Sequence, residues 1–202
     1  MNSHRSVRFV FLAASLAIAT LTAAPLAKAE SNAFHPSRVR LLIFGKQKLN
    51  SQLELRGDFI PAGNLVGELA PSGYVGLGYI PSENLDLAAS AGWAFVPDEP
   101  IASIRVAPSF GRFWIWSELD LNLPSNDGYY FAQAEYKAAD VIHLGVEAEG
   151  WGNYSTGGWS HGAGPNLLLR FGKQVGFDLA LHARKQDDQL KPEFVTRFLL
   201  FL

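Results

Sequence analysis

The chain has no cysteine among its 202 residues and a single methionine. Disulfide stapling is excluded, and with it thiolate metal sites and C-x-x-C redox chemistry, so strand pairing and packing must hold the fold. Charge is scarce: 18% of residues are Asp, Glu, Lys or Arg, and the net formal charge is −2. With no basic stripe, nucleic acid is not expected as a partner. Beyond the first thirty residues no uncharged run reaches the ~20 residues a membrane helix needs. No stretch of useful length follows the 3.6-residue period of an amphipathic helix either. There is no phosphate-cradling glycine loop and no H-E-x-x-H, and neither a cofactor nor a metal is implied.

The N-terminus has the makings of an export signal. Arg5 and Arg8 precede an uncharged run from Phe9 to Leu21, and Ala27-Lys28-Ala29 has the A-x-A pattern of a cleavage site. The expectation is a cleaved signal peptide over residues 1–29 and a single domain over 30–202.

From Ser37 onward the pattern has a period of two. It gives twelve candidate strands, at 38–46, 50–60, 64–70, 73–80, 85–96, 101–110, 112–123, 129–137, 141–151, 162–172, 175–184 and 193–201. Merging or dropping the first strands leaves ten or eight. The breaks are rich in Pro, Gly, Asn, Asp and Ser, which supply turn dihedrals or interrupt a ladder. Ile60-Pro61-Ala62-Gly63-Asn64 and Ile80-Pro81-Ser82-Glu83-Asn84 read as one turn used twice. Taken alternately, the connections form a short set (FGR, KAAD, GKQ and the two IP turns) and a more polar set with the longest members (PSNDG, GNYSTGGWSHG, KQDDQLK). An up-and-down barrel would hold each set at its own end, and an even strand count would bring both termini to the same end.

One parity class is apolar nearly throughout, including Leu87, Ile104, Val106, Leu119, Leu144, Val146, Leu179, Leu181 and Phe198. The other carries Arg56, Arg105, Glu118, Asp120, Glu135, His143, Glu147, Arg170, Asp178, His182 and Arg197. Alternation alone also fits a half-buried soluble sheet. Three features favour lipid outside. Aromatic residues concentrate near strand ends: Tyr74, Tyr79, Trp93, Phe95, Phe110, Phe113, Tyr129, Tyr130, Phe171 and Phe177. The final strand runs apolar to the chain terminus. Opposite charges also pair across hairpins: a Gly111-Arg112 turn sets Arg105 against Glu118, and a turn at 173–175 sets Arg170 against Asp178.

In these respects the chain resembles the bacterial outer-membrane β-barrel proteins, over all of residues 30–202 and by pattern rather than by a specific motif. Members commonly end on Phe, whereas this chain ends Phe201-Leu202. The resemblance implies an all-β, antiparallel up-and-down transmembrane barrel of about twelve strands in the bacterial outer membrane. It also implies contact with membrane lipid. Twelve strands lie between eight, where side chains fill the interior, and sixteen, where water does, which leaves room for a narrow passage for small polar solutes. Arg105, Glu118, Asp120, Glu135, His143, Glu147, Arg170, Asp178, His182 and Arg197 are the expected lumen lining of a narrow channel-like or structural barrel.

Two alternatives remain open. One is an outer-membrane lipid-acting hydrolase around His161, with Ser160 or Ser155 as nucleophile. Adjacent residues such as Ser160 and His161 do not readily form a nucleophile–base pair, and no orienting acid stands beside them. The other is a soluble exported barrel whose Leu/Phe face encloses an apolar ligand. The i,i+4 pairs His143/Glu147 and Asp178/His182 lie ~13 Å apart on a strand, too far to share a metal or a proton directly.

Overall fold

The computed structural model describes residues 38–64, 70–186 and 189–202; the expected signal segment lies outside them. Twelve strand segments follow one another: β1 (Arg38–Lys48), β2 (Leu53–Ile60), β3 (Ala62–Asn64), β4 (Ser72–Ser82), β5 (Leu85–Ala94), β6 (Glu99–Phe110), β7 (Phe113–Asn122), β8 (Asp127–Lys137), β9 (Ile142–Asn153), β10 (Gly157–Phe171), β11 (Val175–Gln186) and β12 (Gln189–Phe201). Successive segments pair side by side, except that β3 pairs with β1 and β2 with β4, and β12 returns to β1, closing the sheet into a barrel.

β2 and β3 together fill one strand position, because both pair with β1, so the barrel has eleven positions. The interruption is Pro61. Lacking an N–H, proline cannot continue the ladder, and the Pro61 carbonyl instead accepts from the Leu41 amide at 3.3 Å. Ile60-Pro61 is therefore a break within a strand position, whereas Ile80-Pro81 leads into a turn at 83–84 after a bulge between Tyr79 and Ser82. The two motifs sit at opposite ends of the barrel and are not one turn used twice. Nor does the expected strand at 64–70 occupy a position of its own, since β2 pairs directly with β4; residues 65–69 lie outside the described residues.

All neighbouring pairs are antiparallel except the closing one, β1 with β12, which runs parallel from Arg38↔Val195 to Phe44↔Phe201. An odd number of positions requires this. It also sends Arg38 and Leu202 to opposite ends, where an even count would have brought them together. Following the register once round the sheet returns to Glu118 about 14 residues lower on the strand. At ~3.3 Å per residue and ~4.8 Å between strands, that stagger sets a strand tilt of ~40° and a backbone radius of roughly 11 Å.

Among the described residues the connections are short at both ends. One end carries 49–52, 83–84, 111–112, 138–141, 172–174 and Leu202; the other carries Arg38, 95–98, 123–126 and 154–156. They are called here the turn end and the loop end. The expected long loop at 152–162 is mostly strand. β9 and β10 continue through it, a bulge between Gly157 and Ser160 absorbs the mismatch, and residues 154–156 make the turn. Gly157 and Gly158 supply positive φ angles there, +79° and +75°, a region β-carbon-bearing residues avoid. At the turn end Gly111, at φ +62°, closes a two-residue hairpin that puts Arg105 opposite Glu118, as the sequence suggests. Asp140, beyond β8, meets Lys137 Nζ at 2.9 Å, and this cation holds its carboxyl below the usual range.

The faces sort as the alternation anticipates. Ile104, Leu119, Leu144, Val146 and Leu181 point outward and are exposed, while Glu54, Glu135, Glu147, Glu149, Asp178, His182 and Arg197 are buried inside. The aliphatic face therefore encloses nothing; it is the barrel's outer surface.

Candidate functional site

The interior is divided. Ion pairs pack one wall, contributed by β8 to β12 and β1. At its centre the Arg197 guanidinium donates to Glu147 at 2.7 and 2.8 Å and to Asp178 at 2.7 Å. His182 Nε2 lies 2.7 Å from Glu147 Oε1, and Asn166 donates to Glu135 and Asp178 at 3.0 and 3.2 Å. Toward the loop end, Arg184 donates to Glu149 at 2.6 Å and to Glu193 at 2.5 Å. Arg38 joins Glu193 at 2.6 Å and also contacts Glu149, while Arg40 reaches Glu149 at 3.2 Å. Gly162 makes room for this layer, because a β-carbon there would meet the Arg184 guanidinium.

Glu149, His182 and Glu193 bring ligand atoms within 4.8 Å of one another, which is the donor set of a cation site. Guanidinium groups already occupy those oxygens, however. Arg38, Arg40, Arg184 and Arg197 stand against Glu147, Glu149, Asp178 and Glu193, so the cluster is charge-compensated without an ion. Buried carboxylates are tolerable only with such partners.

A second, smaller network lies near the turn end. Arg105 joins Asp58 at 2.7 Å and Glu118 at 3.0 Å, and Arg56 joins Asp86 at 2.7 Å. The Arg105 guanidinium also lies 4.2 Å from the centre of the Trp116 ring.

Between these networks runs a cavity of about 320 Å³. Its lining extends from Asn122 and Trp151 near the loop end to Trp114, Arg170 and Phe201 near the turn end. Aromatic and aliphatic side chains dominate it. A second cavity, of about 100 Å³, opens at the turn end and shares Phe44, Trp116 and Phe201 with the first. Phe44 packs against Trp116 at 5.5 Å and against Phe201 at 5.4 Å between ring centroids. These three rings form the partition between the two spaces.

Of the expected lumen residues, Glu118, Asp120, Arg170, Asp178 and Arg197 line the main cavity, and Arg105 lines the smaller one. Glu135, Glu147 and His182 are buried within the charged wall, and His143 Nδ1 lies 3.6 Å from Glu135. The expected Arg170–Asp178 pairing is corrected. The turn is Gly172-Lys173-Gln174, so Phe171 pairs with Val175 and Asp178 falls opposite Leu168. Asp178 takes its charge partner from Arg197, directly across on β12, while the Arg170 guanidinium lies 5.1 Å from the Phe201 ring centre. Tyr74 and Tyr129, expected among the outer aromatics, face inward: Tyr74 donates to Asp120 at 2.9 Å, and Tyr129 bridges Arg40 and Glu149.

β10 sends Ser160 inward, where Arg184 donates to its hydroxyl at 3.3 Å, and His161 outward. The His161 ring stacks on Trp159, with Nδ1 2.9 Å from the Tyr130 hydroxyl. The two side chains thus lie on opposite faces of the wall. Ser155 sits at the tip of the 154–156 turn, its amide bonded to Asn153.

Sequence reading passed over Arg38, Arg40 and Glu193. The first two share a parity class with Leu42 and Phe44 and alternate with the apolar Val39, Leu41 and Ile43, so their inward direction was legible, but their partners on β9 and β12 were not. No protein-family model matches the chain, and no curated protein matches it.

Proposed function

We propose that this protein is a bacterial outer-membrane barrel with a narrow axial passage for small solutes. The observation that carries the reading is the inverted distribution of side chains: charged groups inside, and an aliphatic outer band between two aromatic rings. Tyr79, Phe110, Phe113, Tyr136 and Phe171 ring the turn end, and Trp93, Phe95, Tyr154 and Trp159 ring the loop end. Trp93 is level with Pro100 on β6. Ten residues on stands Phe110, and at ~3.3 Å per residue and ~40° tilt the two belts are roughly 20–25 Å apart. That matches the ~25 Å apolar band of outer-membrane barrels. A soluble barrel would instead expose a broad apolar surface to water.

The passage is slim. About 320 Å³ spread over a similar ~20 Å of barrel height leaves a cross-section that admits water and small solutes. Fractionation of cells and heat-modifiable gel mobility of the full chain test the location. Recovery of the folded protein in the soluble periplasm without detergent would refute it. In planar bilayers the protein is expected to give small, discrete conductance steps. Arg170→Glu, which reverses a cavity-lining charge, should move the reversal potential toward cation preference; an unchanged reversal potential would refute the passage.

A further inference from the structure

The two cavities meet at a wall made of rings. Phe44, Trp116 and Phe201 line both spaces, and among the described residues no other side chain lines the two. The three rings come from β1, β7 and β12. Phe44 and Phe201 are the last partners of the parallel seam, and the Leu202 amide closes that ladder by donating to the Phe44 carbonyl at 2.8 Å. The Phe44 ring stacks on Phe201, 20° from parallel, and meets Trp116 at 58°. Phe44 is thus the ring that touches both of the others.

The two outer rings are also held from the side. Trp116 packs edge-on against Trp114 at 5.6 Å and lies under the Arg105 guanidinium at 4.2 Å. Arg105 is fixed in turn by Asp58 and Glu118, and it stands 5.5 Å from the Phe44 ring. Phe201 lies under Arg170 at 5.1 Å. Arg105 lines the smaller cavity and Arg170 the larger, so a guanidinium faces the partition from each side. Packed rings offer nothing to replace a solute's water shell, and apolar constrictions close a pore by expelling water. A cation approaching the partition meets Arg105 or Arg170 first. An anion drawn to either guanidinium must then pass ring faces, the negative side of the aromatic quadrupole. Both shed hydration at greater cost than a neutral polar molecule does.

We infer that the Phe44–Trp116–Phe201 partition is the selective constriction of the axial passage, that it admits small uncharged solutes of the size of glycerol, and that Phe44 sets the limit. Taking away the Phe44 ring parts Trp116 from Phe201 and joins the spaces of about 320 and 100 Å³. The other two rings keep their anchors on Arg105 and Arg170. The inference rests on the passage reading and deepens it by naming the solute class and the residue that selects it.

The test places the full chain in vesicles and planar bilayers and compares the unaltered protein with Phe44→Ala, Phe44→Leu and Phe44→Trp, each shown to be folded by heat-modifiable mobility. In vesicle swelling, corrected for protein-free vesicles, the unaltered barrel is expected to admit urea and glycerol, to exclude glucose, and to pass glycerol several-fold faster than potassium chloride. Phe44→Ala should admit glucose and raise the single-channel conductance by roughly three-fold or more, since the constriction limits flow. Phe44→Leu should fall between the two, and Phe44→Trp below the unaltered protein, an order that remains testable if Phe44→Ala does not fold. Phe110→Ala, which removes an exposed ring from the outer belt at the same end, should change nothing. An unchanged solute limit and conductance in folded Phe44→Ala or Phe44→Leu would overturn the inference and leave the passage standing. So would entry of glucose, or of potassium chloride as fast as glycerol, through the unaltered barrel. An unaltered barrel closed to urea, glycerol and ions alike would refute the passage itself, and the selection inferred here with it, whatever the variants do.

Discussion

Arg197 is the residue whose loss the fold should feel most sharply. Its guanidinium makes three bonds of 2.7–2.8 Å to Glu147 and Asp178, and a longer one, 3.5 Å, to Glu149. It is only 3% exposed. Arg197→Met keeps much of the stem's bulk but removes the charge. Glu147 is then left with His182 and Gln133, and Asp178 with the amides of Gln133 and Asn166. Breaking one side of a buried ion pair typically costs ~3–5 kcal/mol, because the abandoned charge stays desolvated. Bare Coulomb attraction at interior dielectric would give several times that, an upper bound that overlooks water and rearrangement. The expected loss is ~4 kcal/mol, about a thousand-fold in the folding equilibrium. Guanidinium titration of the folded barrel in lipid vesicles, followed by tryptophan fluorescence, measures it. Adding Glu147→Gln to Arg197→Met should recover ~2 kcal/mol, since neighbours in one network couple by up to ~3. A loss below ~1 kcal/mol, or no recovery in the double variant, would refute the reasoning. The interior would then be wet enough to re-solvate the orphaned acids.

Two further substitutions probe the wall. Val146 is 60% exposed on the outer face at mid-height, so Val146→Arg should cost ~2–4 kcal/mol in a bilayer; the same change on a water-facing surface would stay within ~0.5 kcal/mol, and a near-zero result in vesicle-based unfolding would argue against lipid outside. Gly164→Ala would drive a β-carbon into the Leu181 carbonyl oxygen on β11, whereas Gly111→Ala meets open space but keeps a positive φ. Overpacking plus a disturbed ladder should cost ~3 kcal/mol at Gly164 against ~1 kcal/mol of backbone strain at Gly111, and chemical denaturation that ranks them in reverse would contradict the placement of β10 on β11.

Hairpin logic carried the sequence reading a long way, and its failures have physical causes. Arg105 and Glu118 were legible as partners because a two-residue turn with glycine at its first position admits one register. Asp178 was misassigned because Gly172, at φ +70°, starts the turn one residue before the expected 173–175. Shifting the start by one residue displaces the register by two, which preserves which face each side chain takes but changes every partner. Parity is robust to that error, so the inward direction of Glu118 and Asp120 survived. The strand count was less secure. Residues 64–70 alternate well enough to suggest a strand, but alternation cannot reveal that Pro61 only interrupts a position that β2 and β3 share. Contacts across the interior, such as Tyr74 to Asp120 or Arg40 to Glu149, join residues on strands that are not neighbours. No local pattern encodes them; they follow from the radius that strand number and stagger impose.

The closing seam explains why the ion pairs gather where they do. Parallel pairing is somewhat weaker per residue than antiparallel, no hairpin ties β1 to β12, and the ladder between them extends over seven partners from Arg38 to Phe44. The interior side chains along this seam compensate. Arg38 reaches from β1 to Glu193 on β12, Arg40 reaches on to Glu149 on β9, and Phe44 stacks on Phe201 at the far end. Each contact links the first strand to the last third of the chain, and each would be lost if the seam opened. The charged wall therefore does for this seam what the turns do for the hairpins elsewhere. β4 to β7 are joined by ordinary hairpins at 83–84, 95–98 and 111–112, which leaves them free to present Tyr74, Ile101, Trp116 and Asp120 to the cavity.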